Sequence, residues 1–306
     1  MIRTTVVRLC ALLTLVAGGA LVSAQGLLPS TPPKGFGASV TPAFEGWFDN
    51  PDGSHTFLIG YFNRNTAAEV DVPVGPNNQF TAGTPDMGQP THFLTGRRYG
   101  MFVYTVPKEF VATQKLTWSL TVNGVTSKVP FYMSPDYNIS PMRASEQGPR
   151  GYNLPPVLRL EPGGASFTGP LASVARAISR TATAGIPMPL HISADDDAQY
   201  SSGANTPLTG AGAPVELVIS KYRGGGGVTI ADPRAKTTAT RGGKPDEPFS
   251  GTAATTVTFE EPGDFMLHVT ANDYSGNGGG GAACCWTTAI VKVSVKGEVP
   301  RTTGGQ

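Results

Sequence analysis

Two adjacent cysteines, Cys284 and Cys285, stand in the stretch SGNGGGGAACCWTTAIVKVSV, between a glycine run and a β-strand pattern. The third cysteine of the chain, Cys10, lies in an apolar N-terminal run. Once that run is removed, the pair can react only with itself or with another molecule. In an oxidising compartment it can close as a vicinal disulfide, bridge to a second molecule or remain as thiols. A vicinal bridge distorts the peptide between its two residues, and the glycines just upstream would relieve that strain. Closed, it would stiffen the loop that feeds the last strand and present Trp286 beside it. Zinc is not expected, because there is no second cysteine pair and no histidine at ligand spacing nearby.

Hard-oxygen chemistry is the second option. Asp195, Asp196 and Asp197 form an acidic turn, and Asn272 and Asp273 end a later strand. Calcium takes six to eight oxygen ligands, and these side chains could supply some of them. The spacing of an EF-hand is absent, however, and Asp and Asn also shape turns without any metal. Calcium is the one cofactor for which the sequence leaves room.

The four histidines are His55, His92, His191 and His268. Alternation in FMLHVTA turns His268 outward, and in MPLHISA it does the same for His191. If these two strands lie in different sheets, the rings cannot share a metal. His92, in the loop GQPTHF, is the freest to contact a ligand. Aromatic residues supply a third chemistry. Trp47, Phe57 and Tyr61, with Phe48 and Phe62, fill both faces of one expected hairpin. Either both faces are covered, one by an opposing sheet and one by a second domain or the leader, or Trp47 and Tyr61 form a stacking platform for a sugar ring. Trp286 is a further aromatic candidate for such contacts.

Other chemistries are excluded by what is missing. There is no G-x-S-x-G nucleophile elbow and no Cys-His arrangement. The glycine runs lack the strand-to-helix setting and the Lys-Ser/Thr of a phosphate loop. Glu260 and Glu261 would point to opposite sides of an extended chain and are poorly placed for glycoside hydrolysis. The chain carries 23 Lys and Arg against 22 Asp and Glu. Nucleic acid is not an expected partner, because no basic patch exists to hold it.

The elements that position these residues read as β throughout. Glycine and proline number 39 and 27 of the 306 residues, and only 15% are charged, a composition suited to many tight turns between short strands. Met1–Ala24 combines Arg3 and Arg8, an apolar run from Leu9 to Val22 and a small-residue end, the pattern of a secretory signal peptide. Its removal takes two basic residues away and leaves a formal charge of 21 − 22 = −1. No later stretch is long and apolar enough to span a bilayer. A leader follows over 25–36, then an N-terminal β-sandwich domain over 37–135. A linker occupies 136–154, inside a stretch, 134–156, that carries five prolines; a second sandwich follows over 155–297 and a tail over 298–306. Asn123-Gly124 predicts a two-residue hairpin turn. The segment 171–183 mixes helical spacing with β-branched residues and is read as strand, with helix as the alternative.

The segments EEPGDFMLHVTANDYSGNGG with AIVKVSV, and AGIPMPLHISADDDA, resemble parts of PKD-type immunoglobulin-like domains: a Pro-Gly turn into a strand, an Ala-x-Asp end and a final valine-rich strand. SKYRGGGGVTIAD departs from the Gly-Asp-Gly turn usual in that family. The N-terminal segments GWFDNPDGSHTFLIGYFNRN and GQPTHF resemble secreted bacterial proteins of unassigned activity that share a glycine-CCW end. The PKD resemblance covers about residues 155–297 and implies a β-sandwich module used in extracellular adhesion, as an accessory part of carbohydrate-active enzymes or as a spacer. Together with the strand alternation of the first half and the signal-peptide pattern, the chain reads as all-β, two immunoglobulin-like sandwiches in a secreted or periplasmic protein that binds or builds rather than catalyses, with an envelope or extracellular protein or a glycan as partner. A carbohydrate-binding accessory protein is the alternative, and a hydrolase of unrecognised type the third.

Overall fold

The computed structural model describes residues 32–81, 83–143, 153–198, 215–242, 247–273 and 285–297. The signal-peptide pattern, the tail, Cys284 and part of the expected linker lie outside them. Residues 31–306 cluster as one compact unit. Every regular element in the described residues is a strand, apart from short 3-10 turns at Pro135–Tyr137 and Val174–Arg176.

The first half contains β1 (Val40–Asp49), β2 (His55–Asn63), β3 (Val70–Asp71), β4 (Asn78–Phe80), β5 (His92–Phe93), β6 (Gly96–Val106), β7 (Leu116–Val122) and β8 (Val125–Phe131). They form sheets β1-β2-β6 and β4-β7-β8, with β3 and β5 as a small pair beside them. The expected hairpin is β1-β2, antiparallel. The turn between β7 and β8 places Asn123 at φ 51° and Gly124 at φ 76°, the paired left-handed conformation that Asn-Gly adopts at little cost. The faces of the two larger sheets meet in an aromatic core. Trp118 stacks on Phe80 at 5.9 Å, meets Phe102 edge-on at 5.5 Å and donates its indole N–H to Asn78 Oδ1 at 2.8 Å.

The second half contains β9 (Val157–Arg159), β10 (Ser166–Phe167), β11 (Ile178–Thr183), β12 (Met188–Asp196), β13 (Val215–Arg223), β14 (Val228–Ile230), β15 (Thr238–Arg241), β16 (Phe249–Phe259), β17 (Gly263–Asp273) and β18 (Trp286–Lys296). One sheet runs β10-β9-β12-β16-β14, with β15 also on β16, and the other runs β11-β18-β17-β13. This is the A-B-E-D and C-F-G order of an immunoglobulin-like sandwich, with β11 added parallel to β18. The strand reading of 171–183 holds for Ile178–Thr183 alone, and the helical spacing before it yields only the 3-10 turn at Val174–Arg176. Alternate residues such as Leu190, Ile192, Leu267, Val269, Val291 and Val293 fill the space between the sheets.

The outward residues of the second sandwich are not all in water. Tyr222 and Ile290 belong to the core of the first half, and Trp286 joins Leu58 and Val103 in a third cluster. The Val103 amide donates to the Ala172 carbonyl at 2.8 Å and the Thr91 amide to the Tyr222 carbonyl at 3.1 Å. Both faces of β2 are therefore covered. Phe57, Ile59 and Tyr61 point into the first core, while Leu58 packs against the second half.

Candidate functional site

The two halves enclose a cleft, and an irregularity in β6 shapes its floor. Tyr61 pairs with Arg98 and Ile59 with Phe102, so Gly60 alone stands opposite Tyr99, Gly100 and Met101. Such a bulge twists the strand and re-aims its side chains. Here it turns Arg98, Tyr99 and Met101 toward the second half. Gly100 sits at φ 51°, and a Cβ on it would come within 2.6 Å of Trp286 Cζ2. Glycine is thus required both by the backbone and by the indole. Gly100→Ala is expected to cost about 1–3 kcal/mol through overpacking and left-handed strain. It should also shift Trp286 fluorescence as the ring is displaced; an unchanged urea midpoint and spectrum would refute this packing.

Above the bulge lies a cavity of about 110 Å³ lined from the other side by Ser220 of β13, His268, Thr270 and Asn272 of β17, and Trp286 of β18. His268 and Trp286 are each only 2% exposed. Their Nε2 and Nε1 atoms have no hydrogen-bond partner among the described residues, and neither has Asn272 Oδ1. Burial is the main cause that lowers the His268 pKa, to about 4, with Arg98 adding to it and a backbone hydrogen bond with Met101 opposing it. The ring is consequently neutral near pH 7.

The cations of this cavity differ in how they are satisfied. Arg97 is held by Glu45 at 2.6 Å and lies over the Tyr99 ring at 4.2 Å. Burial raises the Glu45 pKa, against the pull of Arg97. Arg234 pairs with Glu216. Arg98 donates from Nε to the Thr95 carbonyl at 3.1 Å and makes no ion pair among the described residues.

A wider groove of about 750 Å³ adjoins it, with Arg98, Ser220 and Arg234 lining both. His92 is here, as the sequence suggested, but it is not free. Its Nδ1 is 2.9 Å from Asp71 and its Nε2 2.9 Å from Glu69, so both ring nitrogens are engaged by carboxylates. The carboxylates flank the ring from opposite edges instead of converging on one point. Lys221 reaches Asp71 at 3.4 Å and the carbonyls of Gly225 and Gly226. The polar groups around His92 satisfy one another, whereas His268 Nε2, Trp286 Nε1 and Asn272 Oδ1 of the inner cavity have no partner among the described residues.

Other expected site residues are placed elsewhere. Tyr61 is fully buried, and its hydroxyl accepts from the Leu94 amide at 2.9 Å, so it offers no face to a sugar. Trp47 packs at the edge of the first core and donates to the Ser134 carbonyl at 2.7 Å. It and the buried Trp286 lie on opposite faces of the β1-β2-β6 sheet, because neighbouring strand residues Phe57 and Leu58 do. The aromatic platform is therefore not assembled. His191 is exposed, and its strand and that of His268 are indeed in different sheets. His268, expected outward, does leave the core of its own sandwich but is buried under the first half.

The acidic turn also separates. Asp195 faces outward to Arg159 at 2.6 Å. Asp196 is buried and caps the Ala198 amide at 2.8 Å. Consecutive strand residues project to opposite faces, so these two carboxylates do not converge. Asp273 accepts from Asn153 at 2.7 Å, and Asp197 is likewise engaged. Among the described residues no group of three or more His, Cys, Asp or Glu is placed to hold a metal. Cys285 is fully buried and disulfide-bonded. The other two cysteines, Cys10 and Cys284, lie outside the described residues.

Among the described residues no helix is long and apolar enough to cross a membrane. No protein-family model and no curated protein matches the chain. Among solved structures it is similar to domains 4 and 5 of the S-layer protein SbsC, at 9% identity, covering 84% of this chain and 98% of that one, with a TM-score of 0.20. It is also similar to the D00-D0 domain of intimin, at 12% identity, 83% and 99% coverage and a TM-score of 0.21. A third is CfaE, the adhesive subunit of CFA/I fimbria of enterotoxigenic Escherichia coli, at 9% identity, 84% and 87% coverage and a TM-score of 0.20. Likenesses this slight bear on neither fold nor function, and the immunoglobulin-like assignment rests on strand order and the two cores.

Proposed function

We propose that the chain is an extracytoplasmic binding protein without chemistry of its own, whose ligand enters the cleft between its two β-sandwich halves. The observation that carries this reading is the inner cavity, where among the described residues the buried His268 Nε2 and Trp286 Nε1 lack hydrogen-bond partners and Arg98 lacks an ion pair. Buried polar groups are nearly always satisfied, so a converging set that is not points to a missing partner. The signal-peptide pattern of Met1–Ala24 and the disulfide at Cys285 favour an oxidising, extracytoplasmic setting. On this reading Cys285 is joined to Cys284, and the second sandwich is of PKD type; the Pro262-Gly263 turn into β17 supports the latter.

The non-catalytic part of the reading is supported by the two cleft histidines. His92 has both ring nitrogens committed to carboxylates. A base with a pKa near 4, such as His268, is poorly matched to proton transfer at neutral pH. The test is a thermal-shift panel on the mature protein with oligosaccharides, peptides and small organic acids. At least one class should raise Tm, and Ser220→Phe, which fills the wall shared by cavity and groove, should abolish the shift. A panel without any shift, or a shift that survives Ser220→Phe, would overturn the proposal.

A further inference from the structure

We infer that the inner cavity takes a compact oxyanion, with the carboxylate as the best fit, bound against Arg98 and the indole N–H of Trp286. This rests on the cleft being the binding site and adds the chemical class of what it binds. The argument is one of charge and donors. Of the ionised groups around the cavity, Arg97 is neutralised by Glu45 and Arg234 by Glu216. Among the described residues Arg98 alone is left without an ion pair, so the walls they form carry one uncompensated positive charge. Its Nε is used by the Thr95 carbonyl, which fixes the stem and leaves the two terminal nitrogens for a ligand. A planar guanidinium and a planar carboxylate pair through parallel hydrogen bonds.

The remaining polar atoms agree in sense. Trp286 Nε1 can only donate, and it is 2% exposed with nothing to donate to among the described residues. The neutral His268 ring can present an N–H at Nε2. Asn272 offers an amide whose orientation can adapt to its neighbour. The one acidic wall residue, Glu216, is turned to Arg234. A volume of about 110 Å³ holds several waters or one small oxyanion. Water could satisfy the indole and imidazole, but it cannot neutralise Arg98. Any larger body attached to the anion would extend into the adjoining groove, where His92, Glu69, Asp71 and Lys221 are already paired.

The indole N–H resonances make the test direct, since the chain has three tryptophans and Trp286→Phe identifies the relevant one. The mature, labelled protein is titrated with acetate, sulfate, phosphate and, as the neutral counterpart, acetamide, all at constant ionic strength. The expected result is a saturable downfield shift of the Trp286 signal with acetate, weaker with sulfate or phosphate and absent with acetamide. Arg98→Gln should weaken acetate binding about tenfold or more, the loss typical of a charge-assisted hydrogen bond. The Trp118 and Trp47 signals, already bonded within the protein, should stay still and show that the variant is folded. Shifts from sulfate or phosphate alone would keep the oxyanion and overturn the carboxylate. An unmoved Trp286 signal, an equal response to acetamide, or acetate binding undiminished in Arg98→Gln would overturn the inference itself. If a ligand of the wider panel is still blocked by Ser220→Phe in that case, the cleft stands as the binding site and only the anion falls.

Discussion

Tyr222→Ala is expected to destabilise the protein by about 3–5 kcal/mol, the usual cost of truncating a large buried aromatic, and to lower the unfolding of both sandwiches together. The backbone of Tyr222 belongs to β13 of the second sandwich, but its fully buried ring sits in the core of the first. There it stacks on His268 with centroids 5.8 Å apart, and its hydroxyl donates to the Gly88 carbonyl. Around it, Arg223 donates to the Gln89 carbonyl at 2.7 Å and grips Asp86 with two bonds of 3.0 and 2.8 Å. Those bonds hold the Asp86 pKa below its ordinary value. The core of the first half takes in Tyr222 and Ile290 of the second and so couples the halves; calorimetry should show one transition that moves as a whole, by on the order of 10 °C. Tyr222→Phe, which loses only the hydroxyl bond, should cost about 1 kcal/mol. Two transitions, of which only one responds to Tyr222→Ala, would mean that the halves unfold independently.

The all-β character, the β1-β2 hairpin, the Asn-Gly turn and the inward faces of β12, β17 and β18 were legible in the sequence, because period-two alternation reports directly which side chains leave water. What alternation does not report is what covers the other side. His268 is outward from its own sandwich, as read, yet buried, because the first half lies over it. A signal for that cover existed. Tyr222, Met266 and Ile290 put large apolar groups on the same outward face as His268, more than a solvated sheet face carries. The bulge in β6 left no such mark beyond Gly100, and it is the bulge, next to Arg98, that shapes the cavity Arg98 and Trp286 both line. The cleft is built from residues 98, 220, 268 and 286, so no local motif could announce it. His92 and Trp286 were singled out from sequence for other reasons. The two are placed along one cleft by the docking of the halves, and nothing in their own segments requires it.

Acid should weaken the protein through His268 well before the bulk of its carboxylates protonate. The ring has a pKa of about 4 in the folded state against an ordinary 6.5, so between these values the unfolded chain binds a proton that the native state refuses. Stability from this source is complete above pH 6.5, falls as pH drops toward 4, and is lost below it. The whole loss is about 3 kcal/mol. Burial dominates, and the groups facing the ring explain why nothing rescues the charged form. Tyr222 covers one face and Arg98 repels the proton, and the Met101 hydrogen bond and the Thr270 hydroxyl 3.4 Å from Nδ1 do not offset burial. Asp86 and Asp195, whose pKa values are lowered, add their losses at still lower pH. Glu45, raised by burial, acts in the opposite sense and gains as pH falls. Urea midpoints at pH 7.5 and 4.5 should therefore differ widely in the wild type and much less in His268→Gln, which cannot take up the proton. Equal pH slopes in the two proteins would show that the imidazole is not held neutral. A flattened slope would establish that the native protein holds that ring uncharged and loses stability where the unfolded chain protonates it.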